Sequence, residues 1–241
     1  MNRVKYAPLL IFTAVFLTNF IAFNPVKGQS KTVNKYGLFV VKDRRSLAQE
    51  IKQDSNKEMV DLAHLIPGLA LDLKYATEDN FMHQKLYPPV RTTYLRKPAA
   101  DSLKKVVEEL KKEGMGIKIF DAYRPYSVTE KMWEKVKDDR YAADPAKGSG
   151  HNRGTAVDLT LIDLKTKREL PMGTGFDNFS DTAHIDFTHL ASDVLNNRYV
   201  LRKVMEKYGF IQLSTEWWHY YLPNSSFYEL LDLSFSDLRK M

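Results

Sequence analysis

Between Ala99 and Lys112 the apolar residues Leu103, Val106, Val107 and Leu110 recur three and four positions apart, which lines one face of a helix. Lysines gather at its end and Gly114 follows, so the pattern predicts a helix over 99–112 with a glycine terminator. The next stretch, Gly116 to Tyr123, carries Ile117, Ile119 and Phe120 and reads as a buried strand. Ser127-Val128-Thr129-Glu130 has the spacing of a capping box and predicts a second helix holding Met132, Trp133 and Val136. Ala156 to Ile162 alternates Val157, Leu159 and Leu161 with Asp158 and Thr160, as a strand does. A third helix is expected from Leu195 to Tyr208, ended by Gly209, and Phe210–Leu213 and Trp217–Leu222 read as closing strands. Strands and helices mix without a βαβ period, so the fold class is α+β, a mainly antiparallel sheet flanked by helices.

The N-terminal pattern differs in kind. Arg3 and Lys5 precede an apolar run from Ala7 to Phe23, and Val26-Lys27-Gly28 then resembles a signal-peptidase site. Residues 1–28 are therefore expected to be a cleaved signal peptide, leaving no stable membrane anchor. The run is at the short limit for spanning a bilayer, so an uncleaved anchor is the competing reading. Residues 29–58 are polar apart from Tyr36–Val41 and are expected to form an extension packed on the domain, which would occupy 59–241.

Composition narrows the chemistry. The chain has 241 residues, 44% of them hydrophobic, enough to fill a core. It has no cysteine, so disulfides, lipoprotein attachment and thiolate metal sites are excluded. The 36 basic and 30 acidic side chains give +6, and loss of Arg3, Lys5 and Lys27 with the signal leaves +3. No dense basic run with interleaved aromatics occurs, which argues against a nucleic-acid partner.

Two segments carry reactive side chains. His151 lies in a glycine-bounded loop seven residues before Asp158, a path that lets both reach one metal. Gly154 permits a tight turn between them. Glu216 and His219 are three apart, so on a strand they would face opposite sides; a turn or bulge near Trp217 is required if both serve one site. Two histidines and one aspartate, with a spare glutamate, match a catalytic zinc centre: three ligands, an open position for water, and a general base. The pattern is that of a zinc hydrolase, although two histidines and one carboxylate can also hold iron or cobalt. His64, His83 and His189 are expected at the surface or satisfied in the core.

Ser149-x-His151-x-x-Gly154-x-Ala156-x-Asp158 and Glu216-Trp217-Trp218-His219 resemble the paired signatures of the D-alanyl-D-alanine dipeptidases, zinc peptidases grouped with D,D-carboxypeptidases. Asp121-Ala122-Tyr123-Arg124-Pro125, the block from Asp72 to Phe81 and Met172–Asp177 extend the resemblance in the same order, from about Met59 onward. It implies one Zn2+ per chain on His151, Asp158 and His219. It makes Glu216 the base that deprotonates a water at the ion, and Arg124 the residue that holds the scissile carbonyl oxygen. Tyr75 and Asp177 would meet the substrate ammonium, Ser149 its carboxylate, and His184 would line the cleft. The implied reaction is hydrolysis of D-alanyl-D-alanine to two D-alanines, the partner being that dipeptide or related wall fragments. An exported, periplasmic enzyme would salvage dipeptide released from the wall. The alternatives are a D,D-carboxypeptidase acting on peptidoglycan stem peptides and, less favoured because Glu216 and Arg124 are both in place, a non-catalytic zinc-containing wall-binding module.

Overall fold

The strand predicted after Ser149 is the middle strand of the main sheet. In the computed structural model, which describes Met1 and residues 33–241, Ala156–Asp163 is buried along almost its whole length. The expected signal segment and its cleavage point lie outside the described residues. In chain order the elements are β1 (Val40–Val41), α1 (Arg44–Gln53), β2 (Met59–Asp61), α2 (Leu62–Leu65), β3 (Ala70–Leu71), β4 (Tyr94–Arg96), α3 (Lys97–Lys112) and β5 (Met115–Asp121). Then follow α4 (Tyr126–Val136), α5 (Gly150–Arg153), β6 (Ala156–Asp163), α6 (Ser192–Lys207), β7 (Ile211–Gln212), β8 (His219–Tyr221), β9 (Leu230–Leu231) and α7 (Phe235–Leu238). The main sheet has the order β3-β5-β6-β8-β7, and only its β3–β5 pair is parallel. The α+β class and the mainly antiparallel sheet are as the sequence pattern predicts.

The helix expected over 99–112 begins two residues earlier, with Pro98 in its first turn, where a missing N–H costs nothing. It buries Leu103, Val106, Val107 and Leu110 as the periodicity requires, and Gly114 follows at φ 72°. The second helix departs from expectation. It starts at Tyr126, and Ser127 does not cap it. The Ser127 N–H instead donates to Asp232 Oδ1 at 2.9 Å, so the partner comes from the far end of the chain. The closing strands are shorter than predicted, because Trp217 and Trp218 form a turn before β8 begins at His219.

Residues 33–58 are built into the same unit as the sheet. β1 pairs in parallel with β9, Val40 opposite Leu230 and Val41 opposite Leu231. Leu47 of α1 is fully buried, and Lys57 bridges Glu50 and Glu229. Among the described residues no helix is long and apolar enough to cross a membrane.

Candidate active site

Strand register assembles the site. On adjacent strands Asp121 (β5) lies opposite Asp158 (β6), which lies opposite His219 (β8). Opposed residues share a face of the sheet, so three ionisable side chains gather on one patch. On β5 the pairing runs Ile117 with Leu161 and Ile119 with Leu159, then slips to Asp121 with Asp158. An unbroken register would set Phe120 against Asp158; the bulge substitutes a carboxylate.

His151 arrives from the loop side. Gly150–Arg153 forms a single helical turn rather than open loop, closed by Gly154 at φ 70°. Ser149 caps it by accepting from the His151 N–H at 3.2 Å, while Asn152 Oδ1 accepts from the Ser149 N–H at 3.1 Å. His151 Nδ1 lies 2.7 Å from the Ala122 carbonyl. A carbonyl only accepts, so Nδ1 carries the proton and Nε2 presents its lone pair to the site.

The three candidate ligands converge. His151 Nε2 is 3.2 Å from His219 Nδ1 and 3.3 Å from Asp158 Oδ2, and His219 Nδ1 is 2.9 Å from Asp158 Oδ1. Their ligand atoms all lie within 4.8 Å of one another. Two imidazole nitrogens facing each other beside a carboxylate can share a cation. Separations near 3 Å suit adjacent corners of a tetrahedron with donor bonds of about 2.0–2.2 Å, so the residues fit a divalent metal. Electrostatics agree. Burial opposes ionisation of Asp158, yet His151 and His219 hold its pKa well below the carboxylate range. Burial likewise opposes a charged His219, yet Asp158 raises its pKa on balance.

Glu216 stands beside this set. The His219 N–H donates to the Glu216 carbonyl at 3.3 Å across the two tryptophans, the turn that the three-residue spacing demands. Glu216 Oε2 is 3.8 Å from His219 Nδ1, too far for a hydrogen bond. Burial raises its pKa. Both tryptophans are buried and fix the turn: Trp217 Nε1 donates to Thr174 Oγ1 at 2.7 Å, the Trp217 N–H to the Ala183 carbonyl, and Trp218 accepts from the Leu159 N–H.

Arg124 is held on the opposite side. Its Nε and Nη2 reach Asp121 Oδ2 at 2.9 and 2.8 Å, and Nη2 is 4.0 Å from Asp158 Oδ2. Tyr87 donates to the other Asp121 oxygen at 2.6 Å. Burial alone would lower the Arg124 pKa, but Asp121 and its other neighbours raise it well above the usual range. Asp121 and Tyr87 hold Arg124 in place, and no residue pattern singled either out for that task. The only sequence signal was the position of Asp121 in the Asp-Ala-Tyr-Arg-Pro segment.

The Arg124 guanidinium also covers the Tyr75 ring at 4.7 Å. The Tyr75 hydroxyl donates to Asp177 Oδ1 at 3.0 Å, and the Phe81 N–H donates to Asp177 Oδ2 at 3.2 Å. Asp177 has φ 57°, a left-handed conformation unusual for a non-glycine residue. Burial pushes its carboxyl up to about 7. A cavity of about 390 Å3 lies against it, lined by Lys74, Phe81, Phe120, Glu169 and Phe176 among others. The loop bearing Asp177 is pinned by Arg198, which donates to the carbonyls of Met172, Thr182 and His184. His184 is not among the converging groups: its charged neighbour among the described residues is Asp181, at 4.0 Å.

A family profile described as D-ala-D-ala dipeptidase matches residues 55–240. The chain is 38% identical over 179 residues to the D-alanyl-D-alanine dipeptidase of Escherichia coli strain K12, an alignment covering 74% of this chain and 92% of that one. The chain belongs to the D-alanyl-D-alanine dipeptidase family. Enzymes of the same name from Enterococcus faecium and Enterococcus faecalis are 33% and 30% identical, over 69% and 67% of this chain and 94% and 89% of theirs. Membership makes the chain a metallopeptidase, and the His151–Asp158–His219 cluster is where its residues can hold the metal. Among solved structures, an LD-carboxypeptidase described with its peptidoglycan recognition aligns at TM-score 0.42 and 20% identity, over 70% of this chain and 71% of that one, too remote to bear on activity.

Proposed function

We propose that this chain is a zinc dipeptidase that hydrolyses D-alanyl-D-alanine to two molecules of D-alanine. One observation carries the reading: two imidazoles and a carboxylate converge while a separate carboxylate, Glu216, stands 3.8 Å from His219 Nδ1. Two nitrogens and one oxygen are the donor types of a catalytic zinc set. His151, Asp158 and His219 would hold one Zn2+, which would supply Lewis-acid polarisation and lower the pKa of a bound water toward neutrality.

Glu216 would take a proton from the attacking water and pass it to the leaving amine. A carboxyl whose pKa is raised by burial suits a group that must hold a proton between two steps. Arg124, fixed by Asp121, receives the carbonyl oxygen as negative charge grows there, a preorganised donor that need not move during the reaction. Asp177 and Tyr75 take the free ammonium. An ammonium at Asp177 supplies the counter-charge that burial otherwise denies its carboxylate, so a free amino terminus is favoured over an acylated one. Ser149 uses a lone pair for its cap and keeps its O–H for the substrate carboxylate. His184 lines the approach next to Ala183, which is tied to the Glu216 turn. The apolar segment and cleavage pattern ahead of Gln29 support export to the periplasm and salvage of wall-derived dipeptide.

The test uses the purified chain from Gln29 with one equivalent of zinc, following amine release from free D-Ala-D-Ala and from an N-acylated tripeptide ending in D-Ala-D-Ala. Cleavage of the free dipeptide alone is expected. Preference for the acylated peptide would make it a D,D-carboxypeptidase, and inactivity on both would make it a zinc-containing binding module.

A further inference from the structure

The metal-binding turn and the arginine segment are joined by one fully buried side chain. Asn152 Nδ2 donates to the Arg124 carbonyl at 2.9 Å and to Thr129 Oγ1 of α4 at 2.8 Å, while its Oδ1 accepts from the Ser149 N–H at 3.1 Å. Every polar group of the amide but one lone pair is engaged. In return, the Arg124 N–H donates to the His151 carbonyl at 3.2 Å. Arg124 is thus bonded through both its N–H and its C=O to consecutive residues, His151 and Asn152, of the turn that carries a metal ligand. The side-chain end is set separately by Asp121.

We propose that Asn152 is a positioning residue that sets the spacing between the Arg124 guanidinium and the His151–Asp158–His219 cluster, acting on the reaction through Arg124 rather than through the metal. The inference rests on the role given to Arg124 above. The physical case is one of partition. His151 does not depend on Asn152 for its ring orientation, which the Ala122 carbonyl fixes. The Arg124 carbonyl, in contrast, takes its side-chain donor from Asn152. Loss of that donor frees the backbone bearing the guanidinium, and a displacement of about 1 Å at a charge-stabilising group costs on the order of 100-fold in rate.

A double-mutant cycle tests this, with Asn152→Ala and Arg124→Lys made singly and together in the full chain. Three quantities are read: kcat and KM for D-Ala-D-Ala, zinc per chain, and the Arg124 Nε–H NMR resonance of the metal-free protein. Asn152→Ala is expected to lower kcat about 10- to 100-fold while KM moves less than about threefold. It should keep one zinc and shift the Nε–H resonance. In the Arg124→Lys background the same substitution should cost less than about threefold, because the route through Arg124 is already broken. Equal fold losses in both backgrounds, or zinc lost in step with kcat, would overturn the proposal. Wild-type kcat in Arg124→Lys would overturn the role of Arg124 itself, and that variant alone tells the two failures apart. Should Asn152→Ala fail to fold, Asn152→Asp keeps the acceptor for the Ser149 N–H while opposing the Arg124 carbonyl, and the same pattern is expected of it.

Discussion

Replacing Asp121 by asparagine isolates the charge of the group that holds Arg124. The side chain is 1% exposed and accepts from Tyr87, Arg124 Nε and Arg124 Nη2 at 2.6, 2.9 and 2.8 Å. Asparagine fills the same volume. With its carbonyl oxygen turned to Arg124, its NH2 faces the Tyr87 oxygen, and that hydroxyl can reverse its role and accept. Hydrogen-bond geometry is therefore largely kept, and the loss is the carboxylate's charge beside a buried guanidinium. Breaking a buried pair costs about 3–5 kcal/mol, and the retained bonds place this case near about 3 kcal/mol. In a domain of this size each kcal/mol moves Tm by about 2–4 °C, so a fall of roughly 6–12 °C is expected. Urea denaturation of the metal-free chain gives the free energy directly. Arg124→Met should be costly too, since it strands Asp121. The double variant Asp121→Asn/Arg124→Met should regain part of the loss because neither charge is then buried alone. A single-variant cost below about 0.5 kcal/mol, or additive losses, would refute the reasoning.

Glu216→Ala should keep zinc and lose about 10²–10⁴ in kcat, since Glu216 lies outside the donor set, whereas His219→Ala should lose the metal; equal metal loss in both would sink the assignment of Glu216. Asp177→Asn has a signed pH dependence. The native carboxyl holds its proton up to about 7, while the unfolded one releases it near about 3.9. Between those values the native state binds the extra proton, so wild-type stability falls as pH rises, and the loss is complete above about 7. The Tm difference should therefore shift in favour of the asparagine variant from pH ~5 to pH ~8, and a gap independent of pH would count against a buried carboxyl. Gly148→Ala puts a Cβ 2.4 Å from Leu230 Cδ2 at a residue with φ 70°, and should cost about 1–3 kcal/mol or more by thermal melting.

Elements whose cause is local were legible. The helix through Leu103 and Leu110 followed from its own periodicity, and His151, Asp158 and His219, each weak alone, pointed together with the family resemblance to a candidate metal cluster. The turn at Trp217 was legible from stereochemistry, because Glu216 and His219 cannot share a face of a strand. What remained hidden arises between distant segments. The start of α4 depends on Asp232, 105 residues from Ser127. The bulge that replaces Phe120 by Asp121 opposite Asp158 exists only when β5 meets β6. Tyr87 and Asn152 look ordinary in sequence, and their parts appear only when Asp121 and Arg124 are placed against them. Which imidazole nitrogen faces the ligand cluster, Nε2 of His151 but Nδ1 of His219, likewise depends on the assembled backbone.

The pairing of β1 with β9 ties timing to architecture. Val40 has no strand partner until Leu230, at the far end of the chain and beyond His219, has been synthesised. Leu230 also packs against Gly148, just ahead of the His151 turn, and the carbonyl of Val41 accepts from Asp232, whose side chain in turn engages the start of α4. A product cut short before Leu230 would own every proposed metal donor yet lack both the strand that packs beside the His151 turn and the Asp232 carboxylate that engages the start of α4. Closing so long a loop adds little equilibrium cost, since loop entropy grows only with the logarithm of length, but it makes this contact a late one. A chain ending before Leu230 is therefore expected to bind metal less tightly than the full chain, although it keeps all three proposed ligands.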